Sequence, residues 1–453
     1  MKKTFAYILC ASFLFSLNSC FKEDDEIFSE SAAQRLNALS ENVSKVLCSS
    51  EDGWVMQYFA SEVEQGYPLI AQFESNGAVT LAGKNSVSTG GKYKEESSVY
   101  ELIQDQSLVL TFDTYNSILH TFSDPGSDGM GHEGDYEFQY MRMSENQDTI
   151  IFSGKKYGLS IRFVRFPKGA TYKDDADVEH TVDTWESYFD AIAANTKRLF
   201  NSLLPDYHLV AGSEEYSVSE MGNGLMVFVP ADATEADIDS RTYYRGIIVN
   251  LDGSIALSSA FTGENDTFSA KNFAIADDNS CFQCLDDANV KLLPPSVNEL
   301  LNIQSGAWVI NPEKSDDGSF VNIGSSLSAL MNAAIDGAAT VSRTISYGYA
   351  YDSKNKKYGV IGILKKGSNK PTQGFFYTDL TIAASGDASL KYTGEADKNA
   401  TSYTKSVPGF KEFADALEGD YTVTIPNPVV PTSVKFVSKN DPQKWFLMTL
   451  SSL

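Results

Sequence analysis

Two hydrophobic periods alternate along this chain. From Ser31, apolar residues recur at helical spacing at Ala33, Leu36, Leu39, Val43, Val46 and Leu47, which predicts a helix. Gly53 follows, and the period then shortens to that of a pleated strand. Alternating or continuous apolar runs predict strands over 54–59, 69–73, 78–81, 108–112, 136–141, 149–153 and 159–166. Asn76-Gly77 between two of these runs is a hairpin signal. A helix followed by an antiparallel meander fits a small barrel or curled sheet with the helix over one opening or face.

Near Asp183 the pattern restarts. Asp183 or Thr184 can cap a helix whose apolar stripe is Trp185, Phe189, Ile192, Leu199, Phe200 and Leu203, ended by Pro205. Asn223-Gly224 before the strand at 225–229 echoes Asp52-Gly53 before the strand at Trp54. Asp252-Gly253 echoes the Asn76-Gly77 hairpin, and Gly419-Asp420-Tyr421 echoes Gly134-Asp135-Tyr136. The expectation is a mainly β (α+β) protein of tandem helix-plus-meander or barrel-like units with no parallel sheet. Residues 29–166 form one copy and 181–453 a longer one with helical insertions. A helix near 327–335 could instead open a third unit, and 167–177 is the best linker.

The length, 453 residues, exceeds what one core fills, in keeping with two or more units. At 42% hydrophobic and 21% charged residues the chain is globular, and 23 Tyr with 27 Phe favour sheets. The net charge of −24 excludes a nucleic-acid partner by repulsion from phosphate.

The first residues carry an address. Lys2 and Lys3 precede an apolar segment too short to span a bilayer, which runs into Leu17-Asn18-Ser19-Cys20. That tetrad resembles the lipobox of bacterial lipoproteins, which implies a signal peptide over 1–19, cleavage before Cys20 and acylation of its thiol and new amine. Lys22-Glu23-Asp24, within an acidic tether over 20–28, resembles the surface-export signal of Bacteroidetes lipoproteins. The implied location is the outer membrane, lipid-anchored and exposed at the cell surface. No second apolar run is long enough for a membrane helix.

Signals for chemistry are sparse. Cys281-Phe282-Gln283-Cys284 is the only CxxC, and His120, His132, His180 and His208 form no paired motif that would complete a zinc site. Free thiols or a disulfide are both open, and no metal or cofactor is expected. The loop 123–135 concentrates Asp124, Asp128, His132, Glu133 and Asp135 among glycines, but without the ordered spacing of a calcium loop. Asp113 and Tyr115 share one strand face, with His120 close enough to join them if the strand bends. Asp135 and Glu137 begin the next strand and complete a candidate ligand or polar cluster. No nucleophile motif accompanies it, so no catalytic residue is assigned.

The string Leu110-Thr111-Phe112-Asp113-Thr114-Tyr115-Asn116 with His120, the strand Gly134-Asp135-Tyr136-Glu137-Phe138, and Gly154-Lys155-Lys156 also resemble a Bacteroidetes lipoprotein family known as domain of unknown function 4302. The helix ending before Gly53-Trp54 fits it as well. The family has no assigned activity. The resemblance implies a setting beside outer-membrane importers of the TonB-dependent class.

Three functions compete. The first is a non-enzymatic binding or accessory lipoprotein that captures a glycan or peptide nutrient or docks on an importer. The second is a hydrolase of polysaccharide or peptide using Asp113, His120 and Asp135. The third is a fimbrial subunit, against which Arg35 argues by falling inside a predicted helix rather than before a releasable strand. The first is the expectation. Its default ligand site is a barrel interior or the groove between the copies.

Overall fold

The computed structural model describes residues 31–126, 131–174, 178–222, 224–383 and 386–452. Helix α1 (Ala32–Leu47) opens it. Ser31 and Gln34 form a reciprocal capping box at its N-terminus, and its stripe buries Val43, Val46 and Leu47. Gly53, with φ of 87°, turns the chain into the first barrel. Its strands are β1 (Trp54–Phe59), β2 (Gly66–Phe73), β3 (Ala78–Gly83), β4 (Lys94–Gln104), β5 (Leu108–Phe112), β6 (Glu137–Met143), β7 (Thr149–Gly154) and β8 (Ser160–Arg165). They run in sequence order, and β8 pairs back on β1 to close barrel I. Helix α2 (Ser117–His120) lies between β5 and β6. The sequence pattern misses β4, because it buries only Tyr100 and so lacks the apolar signature of a strand.

The segment expected as a linker contributes β9 (Thr171–Lys173), which pairs with β10 (Glu179–Thr181) as a two-stranded ribbon. Thr184 then caps α3 (Trp185–Leu199), which ends at Phe200 rather than at Pro205. Barrel II follows, with β11 (Tyr207–Ala211), β12 (Glu214–Glu220), β13 (Leu225–Pro230), β14 (Tyr243–Val249), β15 (Ile255–Phe261), β16 (Ala270–Ile275), β17 (Phe282–Cys284) and β18 (Val290–Leu293). Helix α4 (Val297–Leu301) leads into barrel III. Its strands are β19 (Ala307–Ile310), β20 (Thr344–Asp352), β21 (Lys357–Lys365), β22 (Thr372–Ile382), β23 (Asp387–Ala396), β24 (Gly419–Thr424), β25 (Ser433–Ser438) and β26 (Trp445–Ser451). Helix α5 (Ser325–Thr340) sits between its first two strands; α6 (Lys398–Ser406) and α7 (Phe410–Ala416) sit between β23 and β24. Every strand pair among the described residues is antiparallel, so the mainly β expectation holds.

The region 181–453, expected as one longer copy, therefore holds two closed barrels. The helix near 327–335 is α5, inside barrel III, and the unit is opened by the shorter α4. The hairpin echoes also align differently. Asn76-Gly77 joins the second and third strands of barrel I, whereas Asp252-Gly253 joins the fourth and fifth of barrel II. A meander repeats every two strands, so a slip of one hairpin reproduces its pattern. The Gly-Asp-Tyr triplets do mark the sixth strand of barrels I and III, but two residues out of step. Tyr421 opposite Ser438 takes the place of Phe138 opposite Gly154.

A repeated contact marks the units better. At the start of the first strand of each barrel, an aromatic side chain donates to a carbonyl at the end of the preceding helix. Trp54 Nε1 reaches Leu47 O at 2.8 Å, Tyr207 Oη reaches Leu199 O at 2.9 Å and Trp308 Nε1 reaches Leu300 O at 2.6 Å. Each bond satisfies a carbonyl that a helix end leaves orphaned, and locks helix to barrel.

Barrels I and II are packed together. Tyr188, Phe189, Ala191 and Ile192 of α3 lie on the outer face of barrel I against Val55, Ile70, Ala82 and Phe166. Burial of each such large side chain contributes about 1.5–3 kcal/mol. The β1–β2 loop rests on barrel II, where Glu62 O accepts Gly246 N at 2.9 Å and Ser258 Oγ at 2.6 Å. The approach at Gly246 requires glycine, since a Cβ there would lie 1.8 Å from Glu64 O. No described helix is long and apolar enough to cross a membrane.

Candidate functional site

The polar cluster expected around His120 is only partly assembled. The His120 ring is buried between Tyr115 and Tyr136, at centroid distances of 5.2 and 4.8 Å. Its Nδ1 accepts from Asn116 N at 3.0 Å, and its Nε2 lies 3.1 Å from Phe112 O, to which it donates in the matching tautomer. Both nitrogens are thus committed to the backbone around α2, leaving no lone pair for a reacting proton. Tyr115 is exposed and donates to Asp124 at 2.7 Å. Asp113 is exposed and accepts from Thr111 Oγ1 at 3.2 Å. Asp135 is buried elsewhere, accepting the Lys156 and Tyr157 N–H groups at 2.9 and 3.0 Å, and so holds the β7–β8 turn. Burial pushes its carboxyl up against the effect of those two bonds. Glu137 pairs with Lys155 at 3.2 Å. No hydrogen bond or ion pair among the described residues joins His120 to Asp113 or Asp135.

Cys20 lies outside the described residues, as do 127–130 of the acidic loop. Within that loop, His132 Nδ1 contacts Glu64 Oε2 at 2.8 Å and so ties it to the β1–β2 loop. Cys281 and Cys284 are buried free thiols, and burial pushes the Cys284 thiol up, away from reactivity. The barrel interiors are filled: Trp54, Tyr58, Phe112 and Phe163 pack barrel I, Tyr216 and Phe228 barrel II, Trp308, Tyr347 and Tyr421 barrel III. Large aromatic side chains thus occupy all three interiors.

The concave surface is instead the groove between barrels I and II. One cavity of about 530 Å³ is bounded by Gln57, Arg142, Ile151 and Arg162 on one side, and by Asn250, Leu257, Lys271 and Asp286 on the other. A second, of about 390 Å³, continues it past Gln57, Arg162, Asn250 and Ser254 toward Tyr188. Gln57 Nε2 donates to Asn250 Oδ1 at 2.6 Å across the shared wall. Arg142 and Arg162 are both register partners of Ile151, so three adjacent strands bring them to one face. On the far side the ladder between β15 and β16 opens, its register shifting between Ala256 and Phe261. Asp286 fills in for the lost strand, accepting Lys271 N at 2.9 Å and Asn272 N at 2.7 Å. Burial pulls the Lys271 ammonium below its usual range, opposed by Asp286 and Glu62. None of these residues was singled out by sequence, since Arg142, Arg162 and Lys271 belong to no motif and meet only through strand register.

A hollow of about 900 Å³ on barrel III is lined by Asp352, Tyr377 and Asp397, but its acids are committed. Asp352 accepts Tyr377 Oη at 2.8 Å, and Asp397 caps α6 through Ala400 N at 2.7 Å.

Fold and groove together define a chain of three tandem up-and-down barrels with an open cleft between the first two. Residues 24–234 match the family model described as Domain of unknown function (DUF4302), a stretch that runs through barrel I and α3 and just past the third strand of barrel II. The chain thus contains a domain of uncharacterised function. No curated protein matches it. Among solved structures, the chain is similar to the crystal structure of the beta subunit from DNA polymerase of Streptococcus pyogenes, at 11% identity over 92% of this chain and 97% of that one. The TM-score of 0.13 is too low for the two folds to be counted alike.

Proposed function

We propose that this protein is a non-enzymatic binding or accessory lipoprotein, held to the outer membrane through Cys20 and exposed at the cell surface, where it serves nutrient capture or an importer. The observation that carries this reading is the combination of filled barrels with an open groove between two of them. Such a surface holds a ligand without presenting a reacting group. The hydrolase alternative needed Asp113, His120 and Asp135 in one pocket, and they stand apart with His120 engaged by backbone. The leader and the lipobox-like tetrad supply the anchor, and Lys22-Glu23-Asp24 the surface address.

The test is fractionation of native cells with affinity capture of the full chain. The expected result is membrane association that Cys20→Ser abolishes, together with a co-purifying importer or a retained glycan or peptide. Mass spectrometry showing an unacylated N-terminus, or hydrolysis of polysaccharide or peptide by the purified chain, would overturn the reading.

A further inference from the structure

Three basic residues, Arg142, Arg162 and Lys271, line one cavity of the inter-barrel groove. The chain has 60 acidic and 36 basic residues, so an arginine on its surface meets a carboxylate easily. Arg241 does so, with Asp232 at 2.6 Å, Asp237 at 3.2 Å and Glu264 at 2.7 Å. Arg165 pairs with Asp148 at 3.1 Å and lies over the Trp54 ring. Arg142 and Arg162 do neither. They flank Ile151 on neighbouring strands, face the same cavity, and have no acid within ion-pair distance among the described residues. Lys271, across the cavity, is half-buried and likewise has no ion-pair partner there. The one carboxylate in that cavity wall, Asp286, is turned to backbone N–H groups and to Asn272 Nδ2 at 3.2 Å. The two arginines are exposed and Lys271 is half-buried, so three cationic side chains share one cavity with a single carboxylate in its wall.

We propose that this groove is an anion-recognising subsite, in which Arg142, Arg162 and Lys271 hold a carboxylate or sulfate of an acidic oligosaccharide. The proposal rests on the binding-protein reading and names its ligand class. Guanidinium groups match carboxylate and sulfate oxygens in paired hydrogen bonds, and an ammonium adds a point charge. The sugar is favoured over an acidic peptide by the neutral lining. Ser144, Thr149, Ser160 and Asn272 offer hydroxyl and amide groups suited to ring hydroxyls.

The experiment is calorimetric titration of the full chain carrying Cys20→Ser with trigalacturonate, a sulfated trisaccharide, a neutral glucan trimer, a hexaglutamate peptide and sodium sulfate. Binding of trigalacturonate or the sulfated trisaccharide, weakened by salt and reduced at least tenfold in Arg142→Gln/Arg162→Gln, is expected; the two probes tell carboxylate from sulfate. The charge-matched Lys366→Gln/Lys391→Gln variant, distant from the groove, should bind as the parent does. Thermal melting of each variant shows whether loss of binding is loss of fold, and Lys271→Gln gives an independent second variant with the same expected weakening. Equal affinity for the neutral trimer, tighter binding of hexaglutamate, sulfate binding with no gain from an attached sugar, or binding unchanged in the groove variants would each overturn the proposal. If those variants bind as the parent does while an importer still co-purifies, the anion subsite falls and the accessory-protein reading stands.

Discussion

Barrels I and II share one plan of eight antiparallel strands but stop their ends with different material. Barrel I uses its own chain: Val43, Val46 and Leu47 from α1, and Ile118, Leu119 and Phe122 from α2 and its exit, enter its core. Barrel II has no helix between its strands long enough to do this. Its core is completed by Leu199 from α3 and by Val429 and Val430 from the β24–β25 loop of barrel III. Tyr207 Oη lies 2.9 Å from both Leu199 O and Val429 O, so one hydroxyl touches both the preceding helix and the borrowed loop. The difference teaches that the middle unit is a keystone. Barrel I carries the groups that bury its openings, whereas barrel II takes two valines of its core from barrel III.

The strongest way to break the comparison is to put a charge in the borrowed stopper. Val429→Asp with Val430→Asp should destabilise barrel II by about 3–5 kcal/mol, because unpaired carboxylates would sit among apolar side chains. Hydrogen exchange should show β11–β18 losing protection while β1–β8 keep theirs. Equal loss in both barrels would show that barrel I is no more self-sufficient. Next in size is Gly246→Ala, which drives a methyl into Glu64 O and should cost about 1–3 kcal/mol by forcing the two barrels apart. Limited proteolysis between them should quicken, without change in the β24–β25 loop. Tyr207→Phe removes the hydroxyl shared by α3 and the borrowed loop and should cost about 1 kcal/mol in chemical denaturation. Its effect should fall on barrel II, as that of Trp308→Phe falls on barrel III.

The smallest effect sharpens the contrast by pH. Glu96 is partly buried, which opposes its ionisation, yet Lys94 Nζ at 2.8 Å and the Ser117 hydroxyl and N–H at 2.6 and 3.0 Å hold its carboxyl down at about 2. These bonds pin the start of α2, part of barrel I's own stopper. A carboxyl lowered on folding contributes stability above its unfolded value of 4.5, and loses it as pH falls from there toward 2. Glu96→Gln should therefore cost about 1 kcal/mol at neutral pH and nothing near pH 2. Barrel II's valine stopper has no such dependence, and the variant should leave its exchange rates unchanged at either pH.

Much of this was legible in the residues themselves, and what was missed has a common cause. The helix at 32–47, the strand positions of barrel I other than β4 and the restart before Trp185 follow from local periodicity and capping residues. The number of barrels did not, because Asn76-Gly77 and Asp252-Gly253 are equally good hairpin turns whatever strand they follow. His120 was a reasonable candidate from its Asp and Tyr neighbours. Its engagement with Asn116 N and Phe112 O depends on how the chain bends into α2, which no spacing reveals.

By itself the sequence determined that the protein is sheet-rich, acidic and built of repeated meanders, because these properties live in composition and in contacts a few residues apart. Only the tertiary structure decided where each barrel closes, whose valines stop the middle one, and that Arg142 and Arg162 face Lys271 across a groove. Those outcomes depend on strand register and on contacts between residues hundreds of positions apart, where hydrophobic period carries no information about partners.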